Sequence, residues 1–138
     1  EDQAYLLLQD ELDEQRNGNA TRTYLFNMTD LDKPVIMPAY TAQTKSIDHN
    51  VYILGNYAYQ ASYTAGMRVL DVRDVAAGKL SEVGYFDTSP NADGADLRGA
   101  WTAFPYFKSG LVIMQTTDSG MYILSPQRAA LVGDVSPP

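Results

Sequence analysis

The chain has no cysteine, a single histidine and a single tryptophan among its 138 residues. Without cysteine there is no disulfide, no thiolate metal site and no sulfur nucleophile. One histidine cannot build a zinc centre of the His-rich type. No stretch of 18 apolar residues occurs, so no sequence of the kind that crosses a bilayer as a helix is present. Basic residues are scarce: ten Lys and Arg stand against seventeen Asp and Glu, a net charge of −7. Such a surface repels phosphate backbones and disfavours nucleic acid as a partner. Divalent cations and basic surfaces suit it better. The first residues, EDQAYLLLQDELDE, show no basic flank or cleavage site of a signal peptide.

What is present is a repeat. Residues 61–72 read ASYTAGMRVLDV and residues 115–126 read QTTDSGMYILSP, an ungapped offset of 54 residues. Gly66 falls on Gly120, Met67 on Met121, Val69 on Ile123 and Leu70 on Leu124. An apolar-alternating run precedes each copy. The unit is strand, glycine turn, strand. A weaker third copy, TRTYLFNM at 21–28, aligns at an offset of 44, with Leu25 on Val69 and Phe26 on Leu70. Repetition at this period marks an architecture in which one unit cannot bury its own apolar face. Ten tyrosines, with frequent Val, Ile and Thr, suit pleated, half-buried surfaces.

The expected fold is therefore all-β: antiparallel β-propeller blades, about three of them, forming part of a larger propeller. Strands are predicted over 4–9, 21–28, 35–40, 46–54, 57–62, 67–72, 80–86, 99–107, 111–116 and 121–124. Residues 1–45 read as the end of one blade carrying an acidic loop. Residues 46–88 read as a complete four-stranded blade, 89–126 as most of a further blade, and 127–138 as a tail or linker. About three blades cannot close a ring, so the open edges and faces are expected to be covered by remaining blades or by another protein chain.

Several stretches are together similar to the C-terminal part of the choice-of-anchor B family, which carries LVIVD-type propeller repeats. They are YLLLQDELDE at 5–14, TRTYLFNMTDLDKP at 21–34, SIDHNVYILGNYAYQASYTAGMRVLDV at 46–72, LSEVGYFDT at 80–88 and GAWTAFPYFKSGLVIMQTTDSGMYIL at 99–124. The resemblance implies a secreted or surface-attached bacterial protein of several hundred residues. It implies no enzymatic activity. The chain departs from the family form near residue 118. There it reads Thr117-Asp118-Ser119-Gly120 in place of a more acidic Asp-hydrophobic-Glu-Arg-Gly segment.

Three groups of residues carry possible chemistry. Asp10, Glu11, Asp13 and Glu14 put four carboxylates into five positions. They repel one another unless solvated or bridged, and oxygen-rich loops suit Ca²⁺. Their spacing is not that of an EF-hand. The plainer reading is a solvated loop with a salt bridge to Arg16 or Arg22. Asp48-His49-Asn50 contains the lone histidine, which Asp48 could orient for proton transfer. Its plainer reading is a hydrogen-bonded structural device at the mouth of a blade. With Asp118 these residues make a possible polar site. Trp101, Tyr106 and Phe107 could meet a sugar or a protein, although a sole tryptophan more often packs between blades. No G-x-S-x-G elbow, Walker loop or dinucleotide fingerprint occurs.

Three functional expectations follow. The first is a non-enzymatic binding or scaffold module. The second is a Ca²⁺-dependent hydrolase on a propeller scaffold. The third is a structural subunit of an extracellular assembly.

Overall fold

A computed structural model describes residues 3–92 and 94–126. The proposed tail at 127–138 lies outside the described residues. The fold is all-β apart from short turns of helix, in three antiparallel sheets. Sheet A holds β1 (Tyr5–Gln9), β2 (Arg22–Asn27) and β3 (Val35–Thr41), with a five-residue helix α1 (Asp13–Asn17) between β1 and β2. Sheet B holds β4 (Asn50–Leu54), β5 (Tyr57–Ala61), β6 (Met67–Asp71) and β7 (Ser81–Phe86). Sheet C holds β8 (Ala100–Phe104), β9 (Val112–Thr116) and β10 (Met121–Leu124). Among the described residues no helix is long and apolar enough to cross a membrane.

Within each sheet, strands follow one another as antiparallel neighbours. This is what short connections between alternating runs dictate. Pro38 sits in β3 where the pairing with β2 slips, between Tyr40 and Met37. An edge strand is where proline, lacking an N–H, is tolerated.

The internal repeat reappears as hydrogen bonding. Ala58 faces Leu70 and Tyr59 faces Val69 across β5–β6. Val112 faces Leu124 and Ile113 faces Ile123 across β9–β10. The two hairpins share one register at the 54-residue offset. Their turns match as well. The Ser62 N–H donates to the Gly66 carbonyl at 2.8 Å, and the Thr116 N–H to the Gly120 carbonyl at 2.8 Å. Both glycines take positive φ, +74° and +81°, where a side chain is disfavoured. In sheet A, Leu7 faces Leu25 and Tyr5 faces Asn27. By the offset of 44 between β2 and β6, β1 is the counterpart of β5. Sheet A thus holds counterparts of β5, β6 and β7, and sheet C counterparts of β4, β5 and β6.

The sheets stack face to face. Between B and C lie Tyr57, Tyr59, Ala61, Met67 and Val69 from one side, and Ala100, Ala103, Val112 and Met114 from the other. Period-two alternation sends Ala58 and Leu70 to the opposite face of sheet B, and both are fully buried. Sheet A covers that face, and Gln60 reaches across it to donate to Thr23 Oγ1 at 2.6 Å. Leu70 is thus completely buried, whereas its repeat partner Leu124 is only partly covered, packed against the B–C core.

Sequence expectation and structure part at four places, the first being the strand expected over 99–107, which ends at Phe104. Residues 46–49, expected to open the strand, are irregular, and β4 starts at Asn50. The Ala76-Ala77-Gly78 turn is one turn of 3-10 helix over Val75–Ala77. The acidic loop is partly helical. Leu12 adopts φ +84°, and its carbonyl then accepts the Arg16 N–H at 3.0 Å, starting α1. Gly18 ends the helix by returning its N–H to the Glu14 carbonyl at 2.9 Å.

Candidate functional site: a buried acidic cluster between sheets A and B

Two segments from different sheets meet here. The first runs from the end of β1 through α1. The second, Ser46-Ile47-Asp48, leads into β4. All three residues of that lead are fully buried. Polar contacts from both sheets hold it. Ser46 Oγ donates to the Ser62 carbonyl at 2.6 Å, and accepts from Thr64 Oγ1 at 2.9 Å and the Ala65 N–H at 3.0 Å. The Ser46 carbonyl accepts from Thr21 Oγ1, just before β2 of sheet A. The His49 N–H donates to the Ala61 carbonyl at 2.9 Å. Asp48 is therefore fixed in place by its neighbours' bonds rather than its own.

Its own carboxylate has no partner. Asp48 is 0% exposed, and neither oxygen accepts a hydrogen bond. Glu14, 2% exposed, also leaves both oxygens unpaired. Asp13 is buried with one oxygen satisfied by Asn19 Nδ2 at 3.0 Å and the other unpaired. Asp13 lies beside both Asp10 and Glu14, where a protonated carboxyl of either pair can donate to its ionised neighbour. Burial, then the charges of Glu14, Asp10 and Asp13, push the Asp48 carboxyl up to about 8. Burial likewise raises Glu14, and Asp13 and Asp10 add to it. The Gln9 amide and Asn50 Oδ1 are further buried groups without partners, on the strand ends that adjoin the two segments.

This arrangement redraws the sequence-derived site. Glu11 leaves the acidic set: its carboxylate accepts the Tyr63 hydroxyl at 2.8 Å. Asp48 enters it from another sheet. Asp48 does not orient His49, because neither of its carboxylate oxygens reaches the imidazole. His49 Nδ1 lies 2.6 Å from the Trp101 carbonyl, and its ring stacks on the Trp101 ring at 3.9 Å. Trp101, expected to pack between sheets, is 44% exposed with that one face covered. Asp118 sits in the exposed β9–β10 turn, where Ser119 Oγ donates to it at 3.0 Å. The structure thus brings Asp10, Asp13, Glu14 and Asp48 together and leaves Glu11, His49 and Asp118 outside. No three Asp, Glu or His side chains among the described residues converge tightly enough to hold a metal ion as they stand. Asp48 carried a sequence signal only in its adjacency to the lone histidine. Its meeting with α1 is a tertiary event.

The Tyr63–Glu11 bond ties sheet B to the acidic segment. Tyr63 is almost fully buried. Tyr63→Phe keeps the ring and removes the donor to a carboxylate. A loss of about 1.5–3 kcal/mol is expected, the range for a hydrogen bond to a charged group. Urea unfolding at neutral pH measures it.

No protein-family model, curated protein or solved structure matches the chain.

Proposed function

We propose that the chain is a non-enzymatic segment of a secreted or surface-attached β-propeller of the choice-of-anchor B type, acting as a binding or scaffold module. One observation carries this reading. The cross-strand row Tyr52–Tyr59–Val69 of sheet B corresponds, through the repeat, to the row Phe104–Ile113–Ile123 of sheet C. The first row faces sheet C, with Tyr59 and Val69 buried in the core between the sheets. The second faces outward: Ile123 is 63% exposed and its neighbour Met121 59%. At the other end the row Leu6–Phe26–Ile36 crosses sheet A, with Leu6 and Ile36 exposed.

Apolar rows of this length are uncommon on free surfaces and mark places where protein packs. In a propeller the next repeat covers each such row, so the covering partner here is further repeat or another chain. The non-enzymatic part of the reading is supported by the one acid–base pair raised from the sequence. Asp48 and His49 are not joined, and His49 is committed to a backbone carbonyl.

Light scattering on the 138-residue chain tests the proposal. Self-association is expected, weakened by Ile123→Glu or Met121→Lys. A monodisperse monomer that unfolds cooperatively would show that the outer rows need no cover, and the reading would fall.

A further inference from the structure

A cleft runs between the edge strand β3 of sheet A and the β6–β7 side of sheet B. One cavity, of about 700 Å³, sets Tyr40 and Thr41 against Arg73 and Ser81. A second, of about 410 Å³, sets Tyr40 and Gln43 against Arg68 and Tyr85. Tyr40 lines both, so the two adjoin. The first alone is within the ~300–1,000 Å³ of a site for a drug-sized ligand. Tyr85 is 66% exposed, the most exposed aromatic side chain among the described residues. It is nevertheless held in place. The Arg68 guanidinium lies 4.7 Å from its ring centre. Arg68 is fixed in turn, its Nε donating to the Ala65 carbonyl at 3.0 Å and its Nη1 to Glu82 at 3.4 Å. An aromatic ring kept in water on a fixed backing is a platform for the apolar face of a ligand.

The chemistry of the walls narrows the ligand. Both arginines are already engaged by acids: Arg73 Nε donates to Asp71 at 2.8 Å, and Arg68 meets Glu82. Lys79 is offset by Asp74 in the same lining. No surplus of positive charge is left to hold a phosphate or carboxylate. A peptide added as a strand along β3 is disfavoured too. Pro38 offers no N–H there, and the β6–β7 turn lies over it, so that a Cβ on Gly78 would be 3.1 Å from Pro38 Cδ. Hydroxyls and an amide remain. The exposed side chains of Thr41, Gln43 and Ser81 make no hydrogen bond among the described residues. Burial, then the charge of Glu82, raises the Tyr40 hydroxyl above its usual range, so it stays an O–H donor at ordinary pH. Each of these four groups can both donate and accept. Sugar hydroxyls need partners of that kind, and the C–H face of a sugar ring needs an aromatic surface. We infer that this cleft binds an uncharged oligosaccharide, with one ring on Tyr85 and hydroxyls on Tyr40, Thr41, Gln43 and Ser81. Two adjoining cavities suit a short chain of rings better than a single one. The inference gives the binding module a ligand class, but it rests on sheets A and B alone.

The test is calorimetry on the full chain, titrated separately with cellohexaose, xylohexaose, maltohexaose and chitohexaose. Trigalacturonate and inorganic phosphate serve as anionic comparisons. Saturable heat from at least one neutral hexaose is expected, and none from the two anions. Tyr85→Ala should weaken binding by about tenfold or more, the scale of an aromatic contact. Tyr85→Phe should keep it, because the ring rather than the hydroxyl forms the platform. Gln43→Ala, on the facing wall, should weaken binding by about threefold or more, as for the loss of one hydrogen bond. Gln43 is exposed and its truncation leaves the core intact, so it decides even if Tyr85→Ala fails to fold. No heat from any neutral hexaose up to millimolar concentration would overturn the site. So would tighter binding of either anion, or an affinity unchanged in both alanine variants. Loss of binding in Trp101→Ala with Tyr85→Ala unaffected would also overturn it, by putting the sugar on other rings. None of these outcomes alters the light-scattering result at the ends of the stack, so the cleft and the propeller proposal fail separately.

Discussion

Gly66→Ala is expected to cost more than about 4 kcal/mol, in the range reserved for severe lesions. Gly120→Ala, at the same place in the repeat, is expected to cost only about 1–2 kcal/mol, the strain of a side chain in the left-handed region. Both glycines carry the turn that closes an identical hairpin. Their surroundings differ. A Cβ on Gly66 would lie 2.1 Å from the Phe86 carbonyl oxygen and 2.9 Å from Asp87 Cα. These are backbone atoms and cannot swing aside. A Cβ on Gly120 meets no described atom within 4 Å. The asymmetry exists because sheet B has β7 to bring Phe86 and Asp87 against its turn, and the described part of sheet C has no counterpart. Denaturant melts of the two variants beside the parent give the comparison. Equal, severe losses would mean that a strand lies against Gly120 in the folded protein as Phe86–Asp87 lies against Gly66.

The second large effect concerns pH. In EDTA, the protein should lose stability as pH rises from about 4, where an unfolded aspartate ionises, to about 8, where Asp48 does so in the fold. Below this window Asp48 is protonated in both states and contributes nothing to the difference. Within it the unfolded chain has released a proton that the folded chain still holds, so each step upward favours unfolding. Above it the whole penalty is present. Each unit of pKa difference is worth about 1.4 kcal/mol, so the decline amounts to several kcal/mol. Glu14, raised by the same burial and the same neighbours, adds to it. Asp71 works in the opposite direction. The Arg73 guanidinium holds its carboxyl below the usual range, so its contribution is present at neutral pH and lost on acidification. Asp48→Asn should flatten the decline, being closest to the parent near pH 4 and most stable relative to it above pH 8. A parent protein whose stability rises with pH from 4 to 8 in EDTA would contradict this account of Asp48.

The strands were legible because their signals are local. Short apolar runs such as YLLLQ, NYAYQA and VIMQT, rich in aromatic and aliphatic residues, and glycines at fixed offsets mark strands and the turns between them. The hairpin equivalence of β5–β6 and β9–β10 could be read to the residue for that reason. Helix α1 could not. It depends on Leu12 entering the left-handed region, a conformation that nothing in ELDEQ announces. Nor could the partners of the acidic residues be read. Glu11 and Glu14 are three positions apart, yet one finds Tyr63 and the other lies near Asp48. Both partners come from sheet B, and only tertiary packing decides which acid meets which. Trp101 shows the same limit: its aromatic character was clear, but its partners, His49 from the segment before β4 and the edge of Tyr63, come from tertiary packing and leave it 44% exposed.

The sheets also have direction. Leu25 of sheet A and Val69 of sheet B face the following sheet, and Ile123, their counterpart in sheet C, faces outward. The two ends of the stack are therefore different surfaces. Under the proposal that these ends are covered by further repeat or another copy, joining one end to the other would be head-to-tail, with a definite polarity like that of a filament. A dimer made this way still shows one bare face of each kind. Addition stops only if the rotation between successive units brings the last onto the first. The angle between sheets, more than the strength of any one contact, then decides between a closed ring and a fibre.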